Sequence, residues 1–273
     1  MSICFLIGGT GNQLYQIANM PDNTRFSSFF LSAKVCGLLG WTHHERLLTP
    51  IRCSHWKTVL GLLVLIFDLL IFILFKRTFL CRLDLRKFSS TPKLFDFVKI
   101  GYFQTMPSEI GFARVRSYLI PALPECDVYD VLMHVRGGDI LAVENESITA
   151  QQKNSFGVMQ YGVLAAEFYG DALKLSNADQ RIIVSTNDRD WAQTIIAEQG
   201  DLDFEFIKED RLPYFIACAL KARIFIASNS TLSWWIVWLR SRQQVTLVPV
   251  PFFVEGALPV PSGVLEVPAT WRK

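Results

Sequence analysis

Residues 130 to 139, DVLMHVRGGD, place a histidine, an arginine, two glycines and an aspartate at the end of an apolar run. The apolar character of Val131 to Val135 is that of a buried strand, which delivers His134, Arg136, Gly138 and Asp139 to its carboxyl end. Ligands of open α/β sheets bind in the crevice beyond such ends, so a guanidinium placed there can meet an anionic ligand through paired hydrogen bonds. A core strand closed by a Gly-Gly turn, with Arg136 solvated, would use the same residues without any chemistry.

Other polar stretches bear on that choice. Thr186-Asn187-Asp188 ends one apolar segment, and Ser228-Asn229-Ser230-Thr231-Leu232-Ser233 ends another and opens a helix. Hydroxyls of Ser230, Thr231 and Ser233, together with the free N–H groups of a helix start, make a cradle for a phosphate. Asp188, beside Asn187, is suited to accept from a ribose hydroxyl or a base. Asn187, Asp188, Ser230 and Thr231 are also ordinary helix N-cap residues, which is the plainer account of any one alone. At the amino terminus, GGTGNQLYQIA (residues 8 to 18) is a glycine turn opening a helix that Pro21 ends. Gly9 and Gly11 let the backbone approach a ligand there, with Asn12 and Gln13 at the helix start, although Asn12 could serve as a cap. The dinucleotide fingerprint GxGxxG fails in this stretch, because Leu14 stands at the third glycine and no acidic residue follows about 20 positions on.

Positioning these groups requires alternating strands and helices. Ile3 to Ile7 reads as the first strand, and Val158 to Leu175 has helical spacing with Val163, Leu164, Phe168, Ala172 and Leu175 as its apolar stripe. Strands are expected over 181–186, 204–207, 223–227 and 245–248, and helices over 189–198, 212–220 and 231–239. That alternation implies α/β architecture with a parallel, Rossmann-like sheet, from which the proline-rich segment Pro249 to Pro268 departs. Prolines at 107, 121 and 124 place a junction near 122 to 128, dividing residues 1–125 from 126–273. Trp235 shares a helical stripe with Leu232 and Leu239, flanked by Trp234 and Trp238, so these rings read as core rather than as a sugar platform.

Composition narrows the classes. The 273 residues are 51% hydrophobic and carry 27 Lys plus Arg against 25 Asp plus Glu, which excludes a disordered chain and a general nucleic-acid binder. Any anion site must be local. Six cysteines without a CxxC pair read as reduced thiols of a cytoplasmic protein, and Ile3 to Ile7 is too short for a signal sequence. In that setting the glycosylation patterns at Asn145 and Asn229 are coincidental. His43, His44, Cys53 and His55 fit no common zinc spacing and read as a surface loop; no metal site is expected.

Taken together, the motifs resemble those of glycosyltransferase family 11, the bacterial-type α-1,2-fucosyltransferases. GGTGNQLYQIA resembles that family's GGLGNQLFQYA, HVRGGD resembles HxRxGD, VSTNDRDWA resembles its FSND segment, and SNSTLSWWIVWL resembles SNSTFSWWGAWL. Order and spacing agree over most of the chain. Gly137 replaces a frequent second arginine, Ile236 and Val237 replace Gly-Ala, and Ala222 stands where a histidine is common.

The resemblance implies a GT-B-like pair of Rossmann-type domains, with GDP-fucose held mainly by the second. It also implies an inverting, metal-independent transfer of fucose to a galactoside hydroxyl, with no cofactor. In that scheme Arg136 and the helix start at Ser230 neutralise the leaving diphosphate, and His134 and Asp139 position Arg136 or the sugar hydroxyls. Asn12 and Gln13 would close the cleft from the first domain. Glu144 is the base best placed by sequence, with Asp139 and Glu146 as alternatives. The acceptor would be a galactose-containing oligosaccharide of a surface polysaccharide. The rivals are transfer of another nucleotide-activated sugar, prompted by Gly137, and glycan or nucleotide binding without turnover.

The strongest apolar run, Val59 to Phe75, is flanked by Lys57 and by Lys76-Arg77. As a helix it would reach about 25 Å, short of the roughly 30 Å hydrocarbon core, and Asp68 sits at its middle. A span would also part GGTGNQ from HVRGGD across the bilayer. Peripheral docking at the cytoplasmic face, near a lipid-linked acceptor, competes there with burial in the first domain's core.

Overall fold

A computed structural model describes residues 3–6, 9–20, 25–27, 63, 66, 81–84, 98–101, 105–137, 162–177, 181–209, 211–253 and 259–272. The chain divides into two compact units, Met1–Ala122 and Leu123–Lys273.

In the first unit, strands β1 (Ile3–Phe5), β2 (Arg25–Ser27), β3 (Cys81–Asp84) and β4 (Val98–Gly101) form a sheet in the order β2-β1-β4-β3, every pair parallel. Helix α1 (Thr10–Asn19) follows β1 and stops before Pro21, whose ring could not continue the hydrogen-bond ladder. Helix α2 (Glu109–Leu119) is capped by Ser108, whose Oγ accepts from the Gly111 amide at 3.2 Å. Gly111 is needed where α2 meets α1, because a Cβ there would stand 2.7 Å from the carbonyl oxygen of Ala18. Nη1 of Arg114 donates to the carbonyls of Ile17 (3.0 Å) and Met20, satisfying the end of α1.

The second unit is a six-stranded sheet of β5 (Val131–Val135), β6 (Ile182–Thr186), β7 (Phe204–Phe206), β8 (Ile224–Ile226), β9 (Val245–Val250) and β10 (Leu265–Pro268). Its order is β10-β9-β8-β5-β6-β7 with all pairs parallel. Counted within the unit this is 3-2-1-4-5-6, the doubly wound arrangement, and the order reverses between β5 and β8. The fold class is therefore α/β with parallel sheets in both units.

Helices α3 (Ala166–Ser176), α4 (Arg189–Ala197), α5 (Leu212–Lys221) and α6 (Thr231–Leu239) connect the strands. Alternation along β5 divides them between the two faces of the sheet. Val131, Met133 and Val135 pack with Phe168, Tyr169 and Ala172 of α3 and Ala192 and Ile195 of α4. His134 faces the other way, its ring 4.7 Å from that of Phe215 on α5. Burying each large core side chain contributes about 1.5–3 kcal/mol, so a strand with five buried residues is anchored from both sides.

Two sequence expectations are corrected. The segment Pro249 to Pro268 rejoins the sheet: β10 pairs with β9 from Leu265↔Leu247 to Pro268↔Val250, at the edge where proline is tolerated. The helix expected over Val158 to Leu175 is shorter. Leu164 forms an antiparallel bridge to Trp271, and the Arg272 amide donates to Val163 O at 2.8 Å, so Val163 and Leu164 are buried without being helical. Leu175, read as core, is 54% exposed. Trp234 and Trp235 are fully buried, edge to face at 5.3 Å, and the indole N–H groups of Trp234 and Trp238 donate to Pro259 O.

The apolar segment Val59 to Phe75 lies outside the described residues except for Leu63 and Ile66, both more than half exposed. His43, His44, Cys53 and His55 lie outside them too. Among the described residues no helix is long and apolar enough to cross a membrane.

Candidate functional site

Parallel pairing brings the ends of β5, β6 and β8 to one edge. Val135 is level with Thr186 on β6, and Met133 with Ile226 on β8. The residues just beyond these strands, Arg136-Gly137, Asn187-Asp188 and Ala227 to Ser230, therefore emerge on the same side, at the point where the strand order reverses.

Three polar side chains close to these ends, those of His134, Ser228 and Ser233, meet on the α5/α6 face. The Nδ1 atom of His134 lies 2.7 Å from Ser233 Oγ and 3.0 Å from Ser228 Oγ, and the two hydroxyls are 3.1 Å apart. Ser228 and Ser233 are fully buried and His134 is 8% exposed. Burial, and then the positive charge of Arg136, push the imidazole down from its ordinary value to about 3. His134 is therefore neutral at physiological pH.

Helix α6 begins at this cluster. Ser230 is its N-cap, with Oγ accepting from the Ser233 amide at 2.9 Å, while the Ser230 amide donates to Ser228 O at 2.9 Å. An α-helix leaves its first four N–H groups without intrahelical acceptors. Two are accounted for in this way, and among the described residues nothing accepts from the amides of Thr231 and Leu232. They carry the positive end of the helix dipole.

On the other flank, Asn187 Oδ1 accepts from the Gly137 amide at 3.0 Å. Asp188 caps α4: its Oδ1 accepts from the Trp191 amide at 3.1 Å, and the Thr186 hydroxyl bridges the Asp188 backbone N–H and C=O at 2.9 and 2.8 Å. The ordinary capping account thus holds for Asp188 and for Ser230. Asn229 is 1% exposed, and its Nδ2 donates to Gly162 O at 3.0 Å, pinning the turn before α6.

His134, Arg136, Asn187, Asp188, Ser230, Thr231 and Ser233 are thus gathered at one sheet edge. Gly138, Asp139 and Glu144 lie outside the described residues. Gly9, Gly11, Asn12 and Gln13 belong to the first unit, where Gly9 is the N-cap of α1 without a side-chain cap. Asn12 lies in the first turn of α1 rather than at its N-cap position; its backbone amide, and that of Gln13, donate to Gly9 O. Gln13 and Gln16 are buried. Sequence reasoning missed the pairing of Ser228 with His134. A serine at the end of a strand adjoining a histidine-bearing strand was the signal, but strand adjacency had to be known first. Among the described residues no three His, Cys, Asp or Glu side chains group as metal ligands.

No protein-family model matches the chain, and no curated protein matches it. Among solved structures it is similar to E. coli heptosyltransferase WaaC with ADP, at 11% identity and TM-score 0.41, covering 97% of this chain and 92% of that one. It is also similar to POFUT1 in complex with GDP-fucose, at 13% identity and TM-score 0.31, covering 62% of this chain and 53% of that one.

Proposed function

We propose that the chain is an inverting glycosyltransferase that moves L-fucose from GDP-fucose to a galactoside hydroxyl in surface polysaccharide synthesis. The observation that carries the reading is the pair of open amides, Thr231 and Leu232, at the start of α6, on the strand-end edge that also carries Arg136. A cation and oriented N–H dipoles at a topological switch point suit a diphosphate that gains charge as it leaves. The choice of fucose and of guanosine rests on the motif resemblance.

In the reaction, the acceptor oxygen attacks the anomeric carbon as the bond from that carbon to the phosphate oxygen breaks. GDP departs with the electron pair, and a base takes the acceptor's proton. His134 is poorly suited to be that base, because its Nδ1 is committed to serine hydroxyls and burial disfavours the protonated imidazole it would become. A carboxylate of the segment after the motif, Glu144 or else Asp139 or Glu146, fits the role. A role for Gly9, Gly11, Asn12 and Gln13 in binding the acceptor rests on the motif resemblance alone. The reaction needs no divalent metal, and the protein docks at the inner membrane face through residues 59–75, where a lipid-linked acceptor would be presented.

A second reading, transfer of another nucleotide-activated sugar, is favoured by Gly137 standing in place of a second arginine and by the use of Asp188 in capping α4. The test is incubation of the purified chain with GDP- and UDP-sugars and galactoside acceptors, with and without chelator. Nucleoside diphosphate release and product mass are followed. Fucosyl product from GDP-fucose, undiminished by chelator, is expected; product from a different donor establishes the second reading, and no turnover with any donor defeats both.

A further inference from the structure

His134, Ser228 and Ser233 come from three separate elements: β5, the turn after β8, and the first turn of α6. Their polar atoms close a buried triangle with sides of 2.7, 3.0 and 3.1 Å. An apolar trio would fill the same space without the cost of burying three polar groups, so the cluster is better explained by the orientation that its hydrogen bonds impose. The neutral ring accepts at Nδ1 when its proton sits on Nε2. Ser233 then donates inward and Ser228 completes the triangle. Ser233 is held a second time through its own amide, which donates to Ser230 Oγ. Side chain and backbone of one residue thus fix the turn that carries the Thr231 and Leu232 amides.

We propose that His134 is a positioning residue for the diphosphate cradle, its Nδ1 holding the Ser233 hydroxyl so that the first turn of α6 keeps one orientation against β5 and β8. The role rests on the nucleotide-sugar reading and deepens it. Misplacing a charge-stabilising group by about 1 Å costs on the order of 100-fold in rate, so a device that locks one helical turn to the central strand has a catalytic purpose.

The test compares His134→Leu, His134→Asn and Ser233→Ala in the full chain. Calorimetric titrations with GDP and with guanosine are combined with steady-state kinetics using GDP-fucose. Asparagine places an acceptor close to where Nδ1 stands. His134→Leu and Ser233→Ala are each expected to weaken GDP about tenfold and to lower kcat, leaving guanosine affinity nearly unchanged. His134→Asn restores GDP binding close to that of the unaltered protein, and the double variant His134→Leu/Ser233→Ala costs little beyond either single change. Equal loss of GDP and guanosine, no rescue by asparagine, or additive single effects would each overturn the role. If His134→Leu does not fold, Ser233→Ala and His134→Asn decide it by the same contrast of GDP with guanosine. Failure of the unaltered chain to bind ADP, GDP or UDP defeats the nucleotide-sugar reading itself and the positioning role with it, whereas binding without the contrast removes only the latter.

Discussion

Asn187 Oδ1 accepts the Gly137 amide at 3.0 Å, tying the turn after β5 to the end of β6. The bond crosses between neighbouring strand ends and holds the backbone of the residue next to Arg136. Asn187→Ala removes the acceptor and frees that turn; turnover should fall about tenfold, with Asn187→Asp recovering much of the loss because a carboxylate also accepts. Steady-state kinetics of both variants check this, and an Asp variant no better than Ala would show that the bond is not the cause.

Arg136 follows the central strand, close enough for its charge to depress the His134 imidazole. Removing one charge-stabilising donor typically costs two to three orders of magnitude, so Arg136→Ala should lower turnover by about 100- to 1000-fold with the fold intact by circular dichroism. Near-normal rates in a folded variant would remove Arg136 from the site.

The burial of His134 has a consequence for stability against pH. Its folded value of about 3 lies below the ordinary 6.5, so the unfolded chain takes up the proton first as pH falls. The contribution is complete above about pH 6.5 and is lost as pH drops toward 3, at about 1.4 kcal/mol per pH unit. Between pH 7.5 and 5 the unaltered protein should therefore lose about 2 kcal/mol more than His134→Asn. Urea unfolding of both at the two pH values measures the difference, in which the carboxylates common to both proteins cancel. Equal losses would refute it.

Arg240 makes a structural prediction independent of function. Its guanidinium is buried and donates to Thr246 Oγ1 at 2.9 Å, to Ala222 O at 2.9 Å, to Val245 O at 3.0 Å and to Ala219 O. It thereby joins the end of α5 to the start of β9, over the ring of Phe225. Burial pushes the guanidinium down to about 10, so it remains charged near neutrality. Arg240→Met removes the guanidinium donors to Ala219 O, Val245 O and Thr246 Oγ1, while Ala222 O keeps Gln244 Nε2 at 3.1 Å, and should cost about 3 kcal/mol; Arg240→Lys should recover little, since one ammonium cannot span the same acceptors. Chemical denaturation reads both changes, and a loss below about 1 kcal/mol would contradict the account.

The strands and helices of the second unit were legible in the sequence because each carries its own period. Val131 to Val135, Ile182 to Thr186 and Thr231 to Leu239 stand within a residue of where apolar runs and cap residues put them, since local pattern and burial agree there. Polar groups at the ends of β5, β6 and β8 could be recognised for the same reason: parallel strands in α/β units expose their carboxyl ends on one side. Neither the strand order nor the partners of individual atoms are local properties. Only tertiary structure decided that β8 rather than β9 adjoins β5, and with it that Ser228 and Ser233 close on His134 while Asp188 turns to cap its own helix. It also decided that Pro249 to Pro268 rejoins the sheet, because an edge strand gains its ladder from a distant partner and a proline-rich run carries no periodic trace of it. Leu164 shows the same limit: its burial leaves a mark on the sequence as helical spacing, and the backbone conformation that achieves it, a bridge to Trp271, does not.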